Sequence, residues 1–149
     1  MNLNKLVFKN ALKITLGIVL YYFLMKIFGL EQIVELRYLN FLFVVWGINS
    51  SIKTNININQ ENIYISNLFL GIFTSVLAVF MTIIFLITYV SLFSTNLIEI
   101  LENSFLWGNN LSLPLIIFAL LIEGIASSVI CSFILMQYWK NYNTTKASI

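Results

Sequence analysis

Apolar residues fill four stretches of the chain, and polar residues punctuate them. The first runs from about Ile14 to Leu30 (ITLGIVLYYFLMKIFGL) and the second from about Tyr38 to Ile52 (YLNFLFVVWGINSSI). The third runs from about Leu68 to Phe93 and the fourth from about Leu113 to Trp139. A helix needs about 20 mainly apolar residues to cross about 30 Å of hydrocarbon, so each stretch reads as a transmembrane span. The second is short, closed by polar Asn49, Ser50 and Ser51. The expected fold class is therefore all-α: a polytopic membrane protein with four transmembrane helices in one bundle over residues 14–139. A basic N-terminus, 1–13, precedes the bundle, and a polar tail, 140–149, follows it.

The connections carry their own patterns. Gly29 to Arg37 (GLEQIVELR) reads as a tight external turn whose Glu31 and Glu35 form a solvated helix end. Lys53 to Ser66 alternates in TNININ and again in NIYIS around NQEN, which suggests either a short hairpin or an irregular loop. Two isolated strands are marginal in water, so the loop is the expectation. Between the third and fourth spans, Asn96 followed by Glu99 fits a capping box. Leu97, Ile98, Leu101, Phe105 and Leu106 follow helical spacing. This predicts a short external amphipathic helix over about 96–107 lying on the membrane surface, with Trp107 as one interfacial anchor and Trp139 as another.

Composition sharpens the picture by exclusion. The chain of 149 residues is 60% hydrophobic and 9% charged, with a mean hydropathy of +0.92. There is no Asp and no His, and there is one Cys, so His-ligated metal sites, Ser-His-Asp or Cys-His nucleophiles and intrachain disulfides are all ruled out. The six glycines are scattered and form no phosphate-cradling run. These features point to a protein that is not an enzyme, with no catalytic residues, no metal and no cofactor. A net charge of +2 without a clustered basic face excludes nucleic acid as a partner. The charges also set orientation. Lys5, Lys9, Lys13, Lys53, Lys140 and Lys146 fall on one side of the spans, against Lys26 and Arg37 on the other. Six against two places both termini in the cytoplasm of a bacterial inner membrane.

One residue resists the pattern. Glu123, in LLIEGIASSVICS, lies ten residues into the last span, about 15 Å deep and near the bilayer midplane. A charged acid there costs roughly 2.5 to 3.5 kcal/mol, so it is expected to face protein or a wet cavity. Its expected polar surroundings are Ser127 on its own helix and Tyr21, Tyr22, Trp46 and Thr82 at similar depth, with Lys26 within reach from the outer side. Beside it Gly124, Ser128 and Ser132 recur every four residues and form a small-residue packing face, for which Gly71 and Ser75 of the third span offer a match. Cys131 reads as a packing residue.

The basic N-terminus, LGIVLYYFLMKIFG, LRYLNFLFVVWGI, NLFLGIFTSVLAVF and LIEGIASSVICSFILMQ together resemble the small four-span proteins of the domain-of-unknown-function 4199 family, known mainly from Bacteroidota. The likeness covers nearly the whole chain and centres on Glu123, Gly124 and Ser127. It implies a four-helix inner-membrane domain and carries no activity. Two functions follow as expectations. One is a non-enzymatic membrane module, either an accessory or assembly subunit of a larger complex or a self-associating protein, whose partners are the lipid bilayer and other membrane subunits. The other is a small ion- or proton-coupled carrier or channel in which Glu123 titrates.

Overall fold

The computed structural model describes residues 2–30, 33–93 and 112–146, and these are all helix and short connections. Among the described residues four helices form: α1 (Leu3–Ile27), α2 (Asn40–Ile58), α3 (Tyr64–Phe93) and α4 (Leu113–Lys146). A 3-10 turn, Val34–Leu39, leads directly into α2. The segment 96–107, where the sequence suggests a surface helix with Trp107, lies outside the described residues.

α1 begins eleven residues before the expected span. Asn2 adopts an extended conformation and its side chain accepts the Asn4 N–H at 3.1 Å, which caps the helix at Leu3 and carries Lys5, Lys9 and Lys13 onto it. At the other end Gly29 takes φ +67. Its N–H reaches the Lys26 carbonyl at 3.1 Å and the Leu30 N–H reaches that of Met25 at 2.9 Å, a glycine-dependent stop that supplies donors to the last carbonyls.

The stretch read as a loop from Lys53 is helical as far as Ile58, and only 59–63 connect α2 to α3. Ser51, Ile52, Asn55 and Ile56 fall on one buried face of α2, so a period of 3.6 governs where the letters alternate in twos. Gln60, at φ 54, turns the chain into α3. Asn67 then closes the connection: it is fully buried, and its amide donates to the carbonyls of Glu61 (2.7 Å) and Ile63 (3.2 Å).

α3 is the hub of the bundle. It packs on α1, α2 and α4, whereas α1 and α4 make no substantial contact with each other. Opposed residues fix the directions. Thr15 meets Ala78 and Lys26 meets Tyr89, so α1 and α3 run parallel. Ser51 meets Thr74 and Asn55 meets Asn67, so α2 runs against α3. Gly124 lies against Val79 and Ser132 against Gly71, so α4 runs against it too. The apolar core is three small clusters strung along the axis: Ile48, Ile52, Cys131, Met136 and Trp139 at one end, Ala11, Ile14 and Ala78 near the middle, Tyr89 and Ile116 at the other end.

Three helices, α1, α3 and α4 as far as Lys140, are long and apolar enough to cross a membrane; α2 is not, because its second half is rich in Asn and Ser. Several hydroxyls inside the spanning helices are satisfied locally, as a bilayer favours, whereas Ser132 Oγ is buried without a hydrogen-bond partner. Thr74, Ser75, Thr82 and Ser128 each donate to the carbonyl four residues back, at 2.7 to 2.9 Å.

Candidate functional site

The separation of α1 from α4 leaves a cleft of about 350 Å³ in the bundle, floored by α3 and walled by residues of α1, α2 and α4. Its walls are mainly aliphatic: Ile14, Ile18, Val79, Ile83, Leu86 and Leu120 are among them. Its polar groups include Glu123, Ser127, Thr82, Asn40 and the hydroxyls of Tyr21 and Tyr22, with Ser75, Ser128, Tyr38 and Tyr89 also on the lining. A mostly apolar cavity with a few convergent polar groups is the usual form of a binding site.

Glu123 is exposed to this cleft. It owes its position to the residue after it. A methyl group added at Gly124 would lie 2.7 and 2.8 Å from the two methyls of Val79, so α4 touches α3 at Gly124 and the neighbouring carboxylate is turned along the cleft wall. The rest of the small-residue face is used in the same contact. Ser128 and Ser132 are buried, and a methyl at Gly71 would meet Ser132 Oγ at 3.0 Å. Ser75 is buried on the same side of α3. These small residues act by size: Ser75 and Ser128 spend their hydroxyls on their own helices. The stripe is thereby packed on α3 within the chain.

The surroundings expected for Glu123 divide. Tyr21, Tyr22, Thr82 and Ser127 line the cleft. Tyr21 donates its hydroxyl to the Leu36 carbonyl at 3.0 Å, fastening α1 to the 3-10 turn. Trp46 does not line the cleft; it stands 55% exposed on the opposite side of α2, with Lys13 Nζ 5.7 Å from its ring centroid. Lys26 does not line it either. Its ammonium donates to the Tyr89 hydroxyl at 2.6 Å and sits 5.4 Å from that ring's centroid, within a cluster of Tyr22, Phe23, Phe85 and Phe93. Removing the hydroxyl with Tyr89→Phe leaves the ring stack intact and is expected to lower stability by about 1 kcal/mol, measured by thermal unfolding in detergent.

Trp139, which the sequence reads as an interfacial anchor, is 5% exposed, and its indole N–H donates to Asn49 Oδ1 at 2.8 Å, tying α4 to α2. The polar half of α2 gives the indole a partner inside the bundle, which a Trp in a wholly apolar setting would have sought at the headgroups. Asn40 is the site residue that sequence reasoning passed over. It lines the cleft and its Oδ1 is buried with no hydrogen-bond partner. Its signal was available: a lone amide inside the apolar YLNFLF. Among the described residues no three His, Cys, Asp or Glu side chains come together to hold a metal ion.

These features define a class: an all-helical, multi-pass membrane protein with an acidic cleft inside its helix bundle. Comparison with family models, with curated proteins and with solved structures finds no match.

Proposed function

We propose that the protein is a non-enzymatic module of the bacterial inner membrane, an accessory or assembly subunit that receives a partner membrane protein at the Glu123 cleft. The observation that carries this reading is a carboxylate exposed in an open cleft near the middle of a span, where only protein or water can shelter it. Self-association through the Gly124 and Ser128 face is disfavoured, because α3 already occupies it. In this reading α2 is the fourth crossing, its buried Ser51 and Asn55 turned to the bundle and its Leu42 and Trp46 outward. The excess of Lys at one end puts both termini in the cytoplasm.

A photo-crosslinking residue placed at Leu120, on the cleft wall, tests it in native membranes. A discrete adduct heavier than the chain, weakened at least several-fold by Glu123→Gln, is the expected result. A chain that crosslinks only to lipid would remove the proposal.

A second reading is favoured by the hydroxyls of Tyr22, Thr82 and Ser127 along the same cleft, which could solvate a transferred proton or cation. Here Glu123 is the titrating group of a carrier or channel. Liposomes loaded with a pH-sensitive dye decide it: flux lost in Glu123→Gln supports transport, and equal flux in both chains excludes it.

A further inference from the structure

The helical start of α1 brings three lysines onto one row. Lys5, Lys9 and Lys13 are four residues apart, so they lie one above another, about 6 Å per step along the axis. Their depth follows from the packing register. Thr15 reaches the Ala78 carbonyl at 3.4 Å, and the next residue, Val79, packs on Gly124. Thr15 therefore stands at about the level of Gly124, and Lys13, two residues away, within about one helical turn of it. At that level α3 and α4 expose Phe73, Phe80, Ile125 and Ile130. One side of the bundle is thus hydrocarbon-compatible right through the depth at which the other side carries ammonium groups.

The lysine row has neighbours of two kinds. Lys13 is half-buried against Trp46 of α2, and Lys53, two turns along the same face of α2 as Trp46, is exposed. On the other flank α1 exposes Leu12 and Leu16. Neither α1 nor α2 contains an acidic residue, so nothing on these two helices neutralises the row. Long lysine side chains can reach toward the nearer surface, yet a charge row graded in depth and flanked by apolar side chains matches one kind of molecule. That molecule is an amphiphile with an anionic head at the surface end and acyl chains running on along α1.

We propose that the face of α1 carrying this lysine row, where it borders Trp46 of α2, is a binding site for an anionic phospholipid of the leaflet that the N-terminal end of α1 contacts. Lys9, Lys13 and Lys53 engage the headgroup phosphate, Trp46 walls it, and Leu12 and Leu16 take an acyl chain. Basic surfaces between helices near one leaflet recognise anionic headgroups in this way. The site is separate from the Glu123 cleft and does not depend on what the cleft receives.

The purified full chain, incubated in micelles holding equal phosphatidylglycerol and phosphatidylcholine, tests the site by native mass spectrometry of the lipids it retains. Phosphatidylglycerol is expected to predominate. Lys9→Gln with Lys13→Gln is expected to weaken its retention about 30-fold. Lys9→Arg with Lys13→Arg keeps it, and Lys140→Gln with Lys146→Gln leaves it unchanged. Equal retention of both lipids by the native chain overturns the proposal without reference to any variant. So does a preference that survives loss of both lysines, or one that falls equally in the Lys140 and Lys146 variant.

Discussion

Asn67→Leu is expected to destabilise the protein by about 3 kcal/mol in denaturant or thermal unfolding in detergent, although it puts an apolar side chain of similar size into a buried site. Asn67 has no exposed surface, and both sides of its amide are hydrogen-bonded. Its Oδ1 accepts from Asn55 Nδ2 at 2.9 Å, and its two N–H groups go to the Glu61 and Ile63 carbonyls. Asn55 Oδ1 accepts in turn from Asn59 Nδ2 at 2.8 Å, so the amides form a chain along the end of the α2–α3 hairpin. Leu supplies none of these bonds. It strands the Asn55 donor and the Glu61 carbonyl, and each buried group left without a partner costs about 1–3 kcal/mol. A leucine gains about 1.5–3 kcal/mol when moved fully from water to a core, and only part of that applies in a site shared with stranded polar groups. Asn55→Leu with Asn67→Leu removes both members of the pair and is expected to recover part of the loss. Should Asn67→Leu alone unfold at the native midpoint, the amide chain contributes nothing to holding α2 on α3.

The same residues show what a sequence can and cannot disclose. Apolar length located three crossing helices to within a few residues at most ends, because burial in lipid writes a long uninterrupted signal. The spacing of Gly124, Ser128 and Ser132 pointed to a close helix contact, since small side chains at every fourth position leave few other uses. Residues 53–58 were illegible for the opposite reason. Asn55 is helical because Asn67 meets it from another helix, and that long-range partner has no counterpart in the local alternation of TNININ. The sequence places Lys5, Lys9 and Lys13 before the first apolar span, and the cap at Asn2 and the packing of Leu6 and Asn10 extend α1 back through all three. The cleft was half visible. An acid at mid-span demands shelter, and Tyr22 and Thr82 were sought at its depth, but the gap between α1 and α4 is a property of tertiary packing. Nothing in one helix announces which neighbour it will fail to touch.

Gly124→Ala carries that contact to its most sensitive point. The added methyl would stand 2.7 and 2.8 Å from the methyls of Val79 and 3.4 Å from its Cβ. Valine in a helix holds essentially one rotamer, so its two methyls cannot both swing clear, and α4 must move off α3 by a few tenths of an ångström or more. Overpacking of this kind costs about 1–3 kcal/mol, which outweighs the gain of up to about 1 kcal/mol from replacing a helical glycine by alanine. The net loss is expected at about 1–2 kcal/mol. Val79→Ala in the Gly124→Ala background gives the methyl room, so the double variant is expected to be less destabilised than the two single losses added together, with a coupling of about 1 kcal/mol or more. The movement also shifts Glu123, one residue away, along the cleft wall. The adduct formed from a crosslinker at Leu120 should therefore weaken in Gly124→Ala and return in the double variant, in step with stability. Additive losses in the cycle would show that Gly124 and Val79 do not meet, and the orientation of Glu123 into the cleft would then need a different cause.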